Sequence, residues 1–543
     1  MRRHLQLSFA LLIALLLSAA PALAEPRLAN GGPLTVRVPS STAETVNLEP
    51  DMTWGYTSWN ILEQLFAGPV DFDDRTNEIR PELATDWTVS PDCTVYTFTL
   101  RSEAKWSDGH ALTAHDAAYA LLRVLDPARG SPWASLLYII HNAQAYNEGT
   151  LTNPALVGIE VLDSTHLRIT LERPASHFLA IMAHWVARPL PRHVIQAHGD
   201  NWTALEHIVS SGAYVISEWV PNDHLTLNKN PRYYDAANVQ IDRIIARRLS
   251  DAAAWQAYLD GELDTAPMPT GTPVDPFLQA ELTNQSRGCT YTYGFNVSLP
   301  PFDNAWVRKA LAAAVDRHAL IRDVVGGGAL PALTFVALGV FGHVDGFAQG
   351  IGIPFDPAQA RQWLADAGFP NGQGLPPIDL CVTNIPADQS VAAYIRQSWI
   401  DNLGVTVNVQ SLPPMQWMQL VSSGQAQVYR NSWCPDYNDA ASFLVDALGL
   451  RTPFGGWTSP EYESFLAQSN CQTNPEARRA LLKQAEEIVV EADAILLPLY
   501  YYGVQTAAKP YLRRTYPAFD APDVSEWELL AWRIFLPIVL KNH

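Results

Sequence analysis

Ser432-Trp433-Cys434-Pro435-Asp436-Tyr437-Asn438-Asp439 puts one carboxylate, Asp436, between two large aromatics and beside a cysteine, just after a strand-like stretch containing Val428 and Arg430. A carboxylate walled by rings suits a small cation such as an ammonium, through charge pairing and attraction to the ring faces. The same residues suit a surface turn, because Pro, Asp and Asn each favour turn backbones. Local composition leaves both readings open.

Outward from that stretch, 543 residues exceed what one hydrophobic core supports, so two or three domains are expected. The formal charge of −19 argues against nucleic acid and against an anionic membrane surface, both of which call for clustered Lys and Arg. Seventeen Trp and twenty Tyr fit a concave recognition surface, though a large core uses them too. At the N-terminus Arg2 and Arg3 precede an apolar run, and Ala22-Leu23-Ala24 supplies small residues for cleavage before Glu25. Residues 1–24 therefore read as a secretory signal peptide, and the mature chain carries about −21, since two arginines leave with it. No cysteine follows the cleavage site, so a periplasmic or otherwise extracytoplasmic protein without a lipid anchor is expected. Five cysteines (Cys93, Cys289, Cys381, Cys434, Cys471) allow at most two bridges in an oxidising compartment, and counting alone does not choose the partners.

Alternation marks strands at Leu34-Thr35-Val36-Arg37-Val38, at 95–100, at 167–171 and at 225–227. Helical spacing appears at 57–66, and at 114–125 behind Thr113 as N-cap. The later half is richer in helix: 303–325, a segment opened by Asp356-Pro357, 391–403 and 476–493. Gly404 closes the third of these and Val405-Thr406-Val407-Asn408-Val409 follows as a strand, the αβ unit of an α/β domain. The apolar end, 529–541, is too short and interrupted for a bilayer span and reads as a closing strand.

A secreted hydrolase is the different-class rival, yet its motifs are missing. No G-x-S-x-G, H-E-x-x-H, G-x-x-x-x-G-K-[ST] or G-x-G-x-x-G occurs. No C-x-x-C occurs either, and the His residues show no metal spacing, so neither metal nor cofactor is expected. Gly326-Gly327-Gly328 lacks the Lys-Ser/Thr of a phosphate loop and reads as a turn.

Several segments decide between the open readings. Pro81-Glu82-Leu83-Ala84-Thr85-Asp86-Trp87, Tyr96-Thr97-Phe98, Lys105-Trp106-Ser107-Asp108-Gly109, Ser211-Gly212-Ala213-Tyr214, Lys229-Asn230-Pro231-Arg232-Tyr233-Tyr234, Gly261-Glu262-Leu263-Asp264 and Val307-Arg308-Lys309-Ala310-Leu311 follow one another in order. With the opening stretch they resemble the extracytoplasmic oligopeptide- and dipeptide-binding proteins of ABC importers, solute-binding protein family 5, and most closely the oligopeptide branch. The resemblance implies an α/β fold of the periplasmic-binding-protein type II, with two lobes made of three domains around a ligand cleft. It implies domain I from residues 25–67, 212–287 and 500–543, an inserted domain II at 68–211, and domain III at 288–499 as the second lobe.

It also implies a function without catalysis: capture of short extended peptides with a free N-terminus by a monomer, and delivery to an ABC permease and ATPase complex. The alternative is the same fold binding an oligosaccharide, nickel or haem. Carried onto this chain, the resemblance gives Asp436 to the peptide ammonium and Arg430 to its C-terminal end. Trp433, Trp417, Trp133, Tyr500 and Tyr502 become cleft residues, with Cys434 in the same motif, and Tyr500 and Tyr502 pointing opposite to Tyr501. The setting Cys289-Thr290-Tyr291-Thr292-Tyr293 implies a Cys289–Cys434 bridge, worth roughly 4–5 kcal/mol in the chain-entropy model. Cys381 and Cys471 are then a candidate second pair. Two positions depart from the branch: Trp54 or Tyr56 stands where an acid is expected at the first-domain lip, and Asp388-Gln389-Ser390 stands where a histidine is expected.

Overall fold

The computed structural model describes residues 33–53, 55–515, 517 and 521–530. The expected signal peptide at 1–24, Trp54 and the apolar end beyond residue 530 lie outside them. Strand β1 (Thr35–Ser41) and helix α1 (Tyr56–Leu65) begin the first lobe, with Ile61, Leu62 and Leu65 buried at helical spacing. The chain then leaves for an inserted domain of four antiparallel strands: β2 (Ala84–Val89), β3 (Val95–Leu100), β4 (Ile159–Val161) and β5 (His166–Thr170), in the order β2-β3-β5-β4. Alternation in β3 buries Tyr96, Phe98 and Leu100. Helix α2 (Ala114–Leu125) packs on this sheet, and Thr113 with Asp116 closes a capping box at its start. Helix α3 (Arg192–His198) follows before the chain returns.

Back in the first lobe, β6 (Tyr214–Val220), β7 (His224–Lys229) and β8 (Arg243–Leu249) complete a sheet ordered β1-β8-β7-β6, with β1 parallel to β8. The short β9 (Thr265–Pro267) is tied to it through Asp264, whose carboxylate accepts from the Arg37 backbone at 2.6 Å and pairs with its guanidinium at 3.0 Å.

The second lobe hangs from two long strands. β10 (Leu282–Phe295) is followed by helices α4 (Ala305–Ala313) and α5 (Pro357–Asp366), then β11 (Ile378–Thr383), α6 (Pro386–Leu403), β12 (Val407–Leu412), α7 (Pro414–Ser422) and β13 (Val428–Trp433). Helices α8 (Pro460–Ser469) and α9 (Pro475–Glu487) lead into β14 (Leu496–Ala508). The sheet order is β9-β14-β10-β13-β11-β12, with β11 parallel to β12 and β13 and the remaining pairs antiparallel. Separate apolar clusters cover its two faces, one around Trp399 and Leu311, the other around Phe335 and Leu482. β10 and β14 pair from Leu282↔Ala507 to Gly294↔Leu496, and the ladder breaks between Ser286 and Thr290. Gly288 sits in that break at φ 66, a left-handed conformation that favours glycine.

Some boundaries differ from the sequence reading. α6 starts at Pro386 rather than 391, because a proline at the first turn has no N–H to leave unpaired. The following strand starts at Val407, since Val405 and Thr406 complete the turn after Gly404, whose φ is 69. The stretch 303–325 splits at Ala314 because Asp316 caps a second short helix, its side chain accepting from Ala319 N at 3.0 Å.

Candidate ligand-binding cleft

β13 ends at Trp433, and the opening stretch turns back before a π-helical segment at Ser442–Ala447. Ser442 Oγ accepts from Asp436 N at 3.1 Å and from Trp433 Nε1 at 3.2 Å, which fixes the turn from inside. The flanking polar residues are used elsewhere. Asn438 bonds to Asn77, Asp439 is gripped by Arg478 with one contact at 2.8 Å, and Tyr437 donates to Asp446 at 2.7 Å. Cys434 is bonded to Cys289 of β10, as the antiparallel register Thr290↔Trp433 permits. The side chain left over is Asp436.

Asp436 borders a cleft of about 670 Å³ between the lobes. Its side chain reaches the cleft space, yet the surrounding walls desolvate it and raise its pKa above 3.8. No cation pairs with it among the described residues. Arg287, Cys289 and Pro435 lie on the same side, and Val504 and Thr506 of β14 border the cleft near the lobe crossing. The opposite side is aromatic. Trp59 stacks on Trp185 with centroids 4.2 Å apart, and Trp133 meets Trp185 edge-on at 5.2 Å. The Trp133 indole donates to the Thr53 carbonyl at 2.8 Å, which fixes the ring. Glu44 also lines this side, and its carboxylate accepts from Thr57 N at 2.8 Å in the first turn of α1. Tyr56 lies beneath Arg287, whose guanidinium carbon is 5.9 Å from the ring centroid, so a weak contact spans the mouth.

The residues singled out in the sequence divide into two groups. Asp436, Cys434, Trp133 and Tyr56 line this cleft. Arg430, Trp417, Tyr500 and Tyr502 gather instead around Asp388 of α6, beside the second-lobe sheet, while Trp433 packs into that lobe's core. Asp388 is buried, accepts from Tyr291 Oη at 3.0 Å and from the Thr383 hydroxyl, and lies 3.4 Å from Arg430 Nε. That separation is an ion pair without hydrogen-bond alignment. Arg430 also lies over the Tyr291 ring at 5.2 Å and the Trp417 ring at 5.8 Å. Its charge is thus compensated inside the protein. Tyr500 stacks on Tyr291 at 4.8 Å with Tyr502 beside it, whereas Tyr501 meets Thr334 and His343.

Sequence reading missed Glu44, Trp59, Trp185 and Arg287. Trp59 falls within the helical stretch at 57–66, but periodicity does not separate a cleft-facing ring from a core one; no signal marked Trp185. The second cysteine pairing is corrected. Cys471 is bonded to Cys93 of the inserted domain, with Cα atoms 5.4 Å apart, and Cys381 is a buried free thiol. Cys381 sits inside the β11 ladder opposite Tyr429, away from Cys471 in the loop after α8. Around the Cys93–Cys471 bond, Ser176 N donates to the Asn470 carbonyl at 2.9 Å and its hydroxyl to the Gln472 carbonyl at 3.1 Å. His177 stacks on Tyr437 at 5.4 Å.

Comparison with known proteins matches residues 78–451 to the family model "Bacterial extracellular solute-binding proteins, family 5 Middle". The chain is 30% identical over 470 residues to the dipeptide-binding protein DppE of Bacillus subtilis, covering 85% of each. It is 30% identical over 490 residues to the periplasmic oligopeptide-binding protein OppA of Salmonella typhimurium, covering 88% of each. Among solved structures it is similar to the unliganded open form of the murein tripeptide-binding protein MppA, with a TM-score of 0.81, 28% identity, and coverage of 92% of this chain and 97% of that one. No helix among the described residues is long and apolar enough to cross a membrane. Two lobes around a cleft, an ordered run of motifs and matches along nearly the whole length agree: the chain belongs to the bacterial extracellular solute-binding proteins of family 5.

Proposed function

We propose that this protein captures short peptides in its interlobe cleft and delivers them to an ABC permease and its ATPase. The observation that carries the reading is Asp436, a carboxylate without a cationic partner among the described residues, held by a disulfide and a serine clamp in a cleft with an aromatic opposite wall. Such a group is completed by a ligand ammonium. Backbone hydrogen bonds along an extended peptide would add affinity without demanding a sequence. The likeness to an unliganded open form supports a receptor poised to receive its ligand, with closure as the signal to the permease.

In this reading domain I comprises 25–67, 212–287 and 500–543, domain II 68–211, and domain III 288–499, exported as a monomer by the leader at 1–24. Trp133 and Tyr56 shape the ammonium end of the site, and Arg430 with Trp417, Tyr500 and Tyr502 forms a charge-compensated region further along. The test is mass spectrometry of the small molecules released on denaturing protein purified from its native compartment, followed by calorimetry with the peptides found. A family of short free-amine peptides is expected; a single sugar, metal complex or haem would overturn the reading.

A further inference from the structure

Away from the cleft, the loop between β3 and α2 brings Asp108 and His110 together with His193, from the first turn of α3 and 85 residues beyond Asp108. Asp108 Oδ2 lies 3.0 Å from His110 Nδ1 and 2.8 Å from His193 Nε2, and the three ligand atoms fall within 4.8 Å of one another. The imidazole centroids are 4.3 Å apart. None of the three lines the interlobe cleft.

The arrangement is built into the loop. Gly109, at φ 101, makes the tight turn between Asp108 and His110, and Trp106 N donates to the His110 carbonyl at 2.9 Å. Ser107 straps the loop to the returning chain: its N donates to the Ser210 carbonyl at 2.8 Å, and its hydroxyl accepts from Ser210 N at 3.0 Å. Trp106 is fully buried beneath.

We propose that Asp108, His110 and His193 form a surface site for a divalent transition ion of the zinc type, with water in the remaining position. Two imidazole nitrogens and one carboxylate oxygen are donors that suit zinc; the two Asp–His separations lie close to the edge of a tetrahedral shell, about 3.3 Å for bonds of about 2.0–2.1 Å, and the third lies within 4.8 Å. The two shorter separations need an outward movement of a few tenths of an ångström, which exposed side chains allow; the His110 side chain is 66% exposed. Without the ion, the Asp108 carboxylate holds one nitrogen of each ring at hydrogen-bond distance. Coordination requires those ring nitrogens to present a free lone pair to the ion. Arg232 opposes the ion: its guanidinium lies against Gly109 and donates to the Ser107 carbonyl at 2.7 Å. Its charge is expected to weaken binding relative to a site without a neighbouring cation. The sequence hid this site because the third ligand comes from a distant helix.

The test is calorimetric titration of the metal-stripped mature protein with zinc chloride, beside calcium chloride as an oxygen-seeking control, together with thermal melts in each ion. One zinc per chain and a raised melting temperature in zinc alone are expected. His110→Ala with His193→Ala is expected to weaken that binding by roughly tenfold or more and to remove the thermal shift. Asp108→Asn, which keeps the shape of the loop, is expected to weaken it too, and circular dichroism confirms that each variant is folded. No zinc uptake by the wild type, or equal uptake by the folded double variant, overturns the proposal.

Discussion

Asp436 is legible in the sequence because its neighbours are unusual, but what isolates it is visible only in space: Ser442, Asn77 and Arg478 engage the rest of the stretch and leave one carboxylate over. Asp436→Asn is expected to weaken a free-amine peptide by roughly 2–5 kcal/mol in calorimetry while leaving the thermal melt unchanged. Desolvation raises this carboxyl above 3.8, and only its charged form pairs with an ammonium. Peptide affinity is therefore expected to hold at neutral pH and to fall with acidification, beginning at a higher pH than for an ordinary aspartate; titrations across pH measure this. Glu486 is a structural counterpart. Fully buried and accepting from Phe335 N and Val336 N, its carboxyl is pushed up from 4.5 to about 8. The folded state then holds a proton that the unfolded chain releases, so this group's contribution is fully present below 4.5 and is lost as pH rises through about 8. Glu486→Gln is expected to flatten that part of the stability profile, measured by denaturant unfolding across pH.

Elements were more legible than their ends. Alternation in β3 and helical spacing in α2 state which face is buried, and the structure places Tyr96, Phe98 and Leu121 accordingly. Boundaries slipped where proline or a turn took over, as at Pro386 and Val405. The cleft's aromatic wall was less legible, because Trp59 and Trp185 come from separate elements and meet only after packing. The capping box at the start of α2 is an element-scale device with a measurable size: Thr113→Ala is expected to cost about 1 kcal/mol in global unfolding. Asp388, in the first turn of α6, shows how a helix start can set the charge balance of the sheet it packs on. The sequence reading notes that no cation stands there, and it does not foresee that the buried acid faces Arg430 and compensates its charge.

At the scale of the whole molecule, covalent connections separate what can move from what cannot. Native protein is expected to react slowly with a thiol reagent and denatured, unreduced protein to yield one thiol per chain, since Cys381 is buried in β11 and its thiol is pushed up to about 11. Cysteine counting could bound the number of bridges but not their partners, because Cys93 and Cys471 stand 378 residues apart and meet only once the inserted domain lies against the second lobe. That bond has a mechanical consequence. Two neighbouring strands crossing between lobes act like a ball joint, free to swing and to twist. A second attachment away from the strands, at Cys93–Cys471, is expected to turn the joint into a door hung at two points. Such a tether is expected to restrict sideways shear more than opening and shutting. Cys93→Ser with Cys471→Ser should therefore leave the mean gap between spin labels on the two lobes nearly unchanged while broadening its distribution.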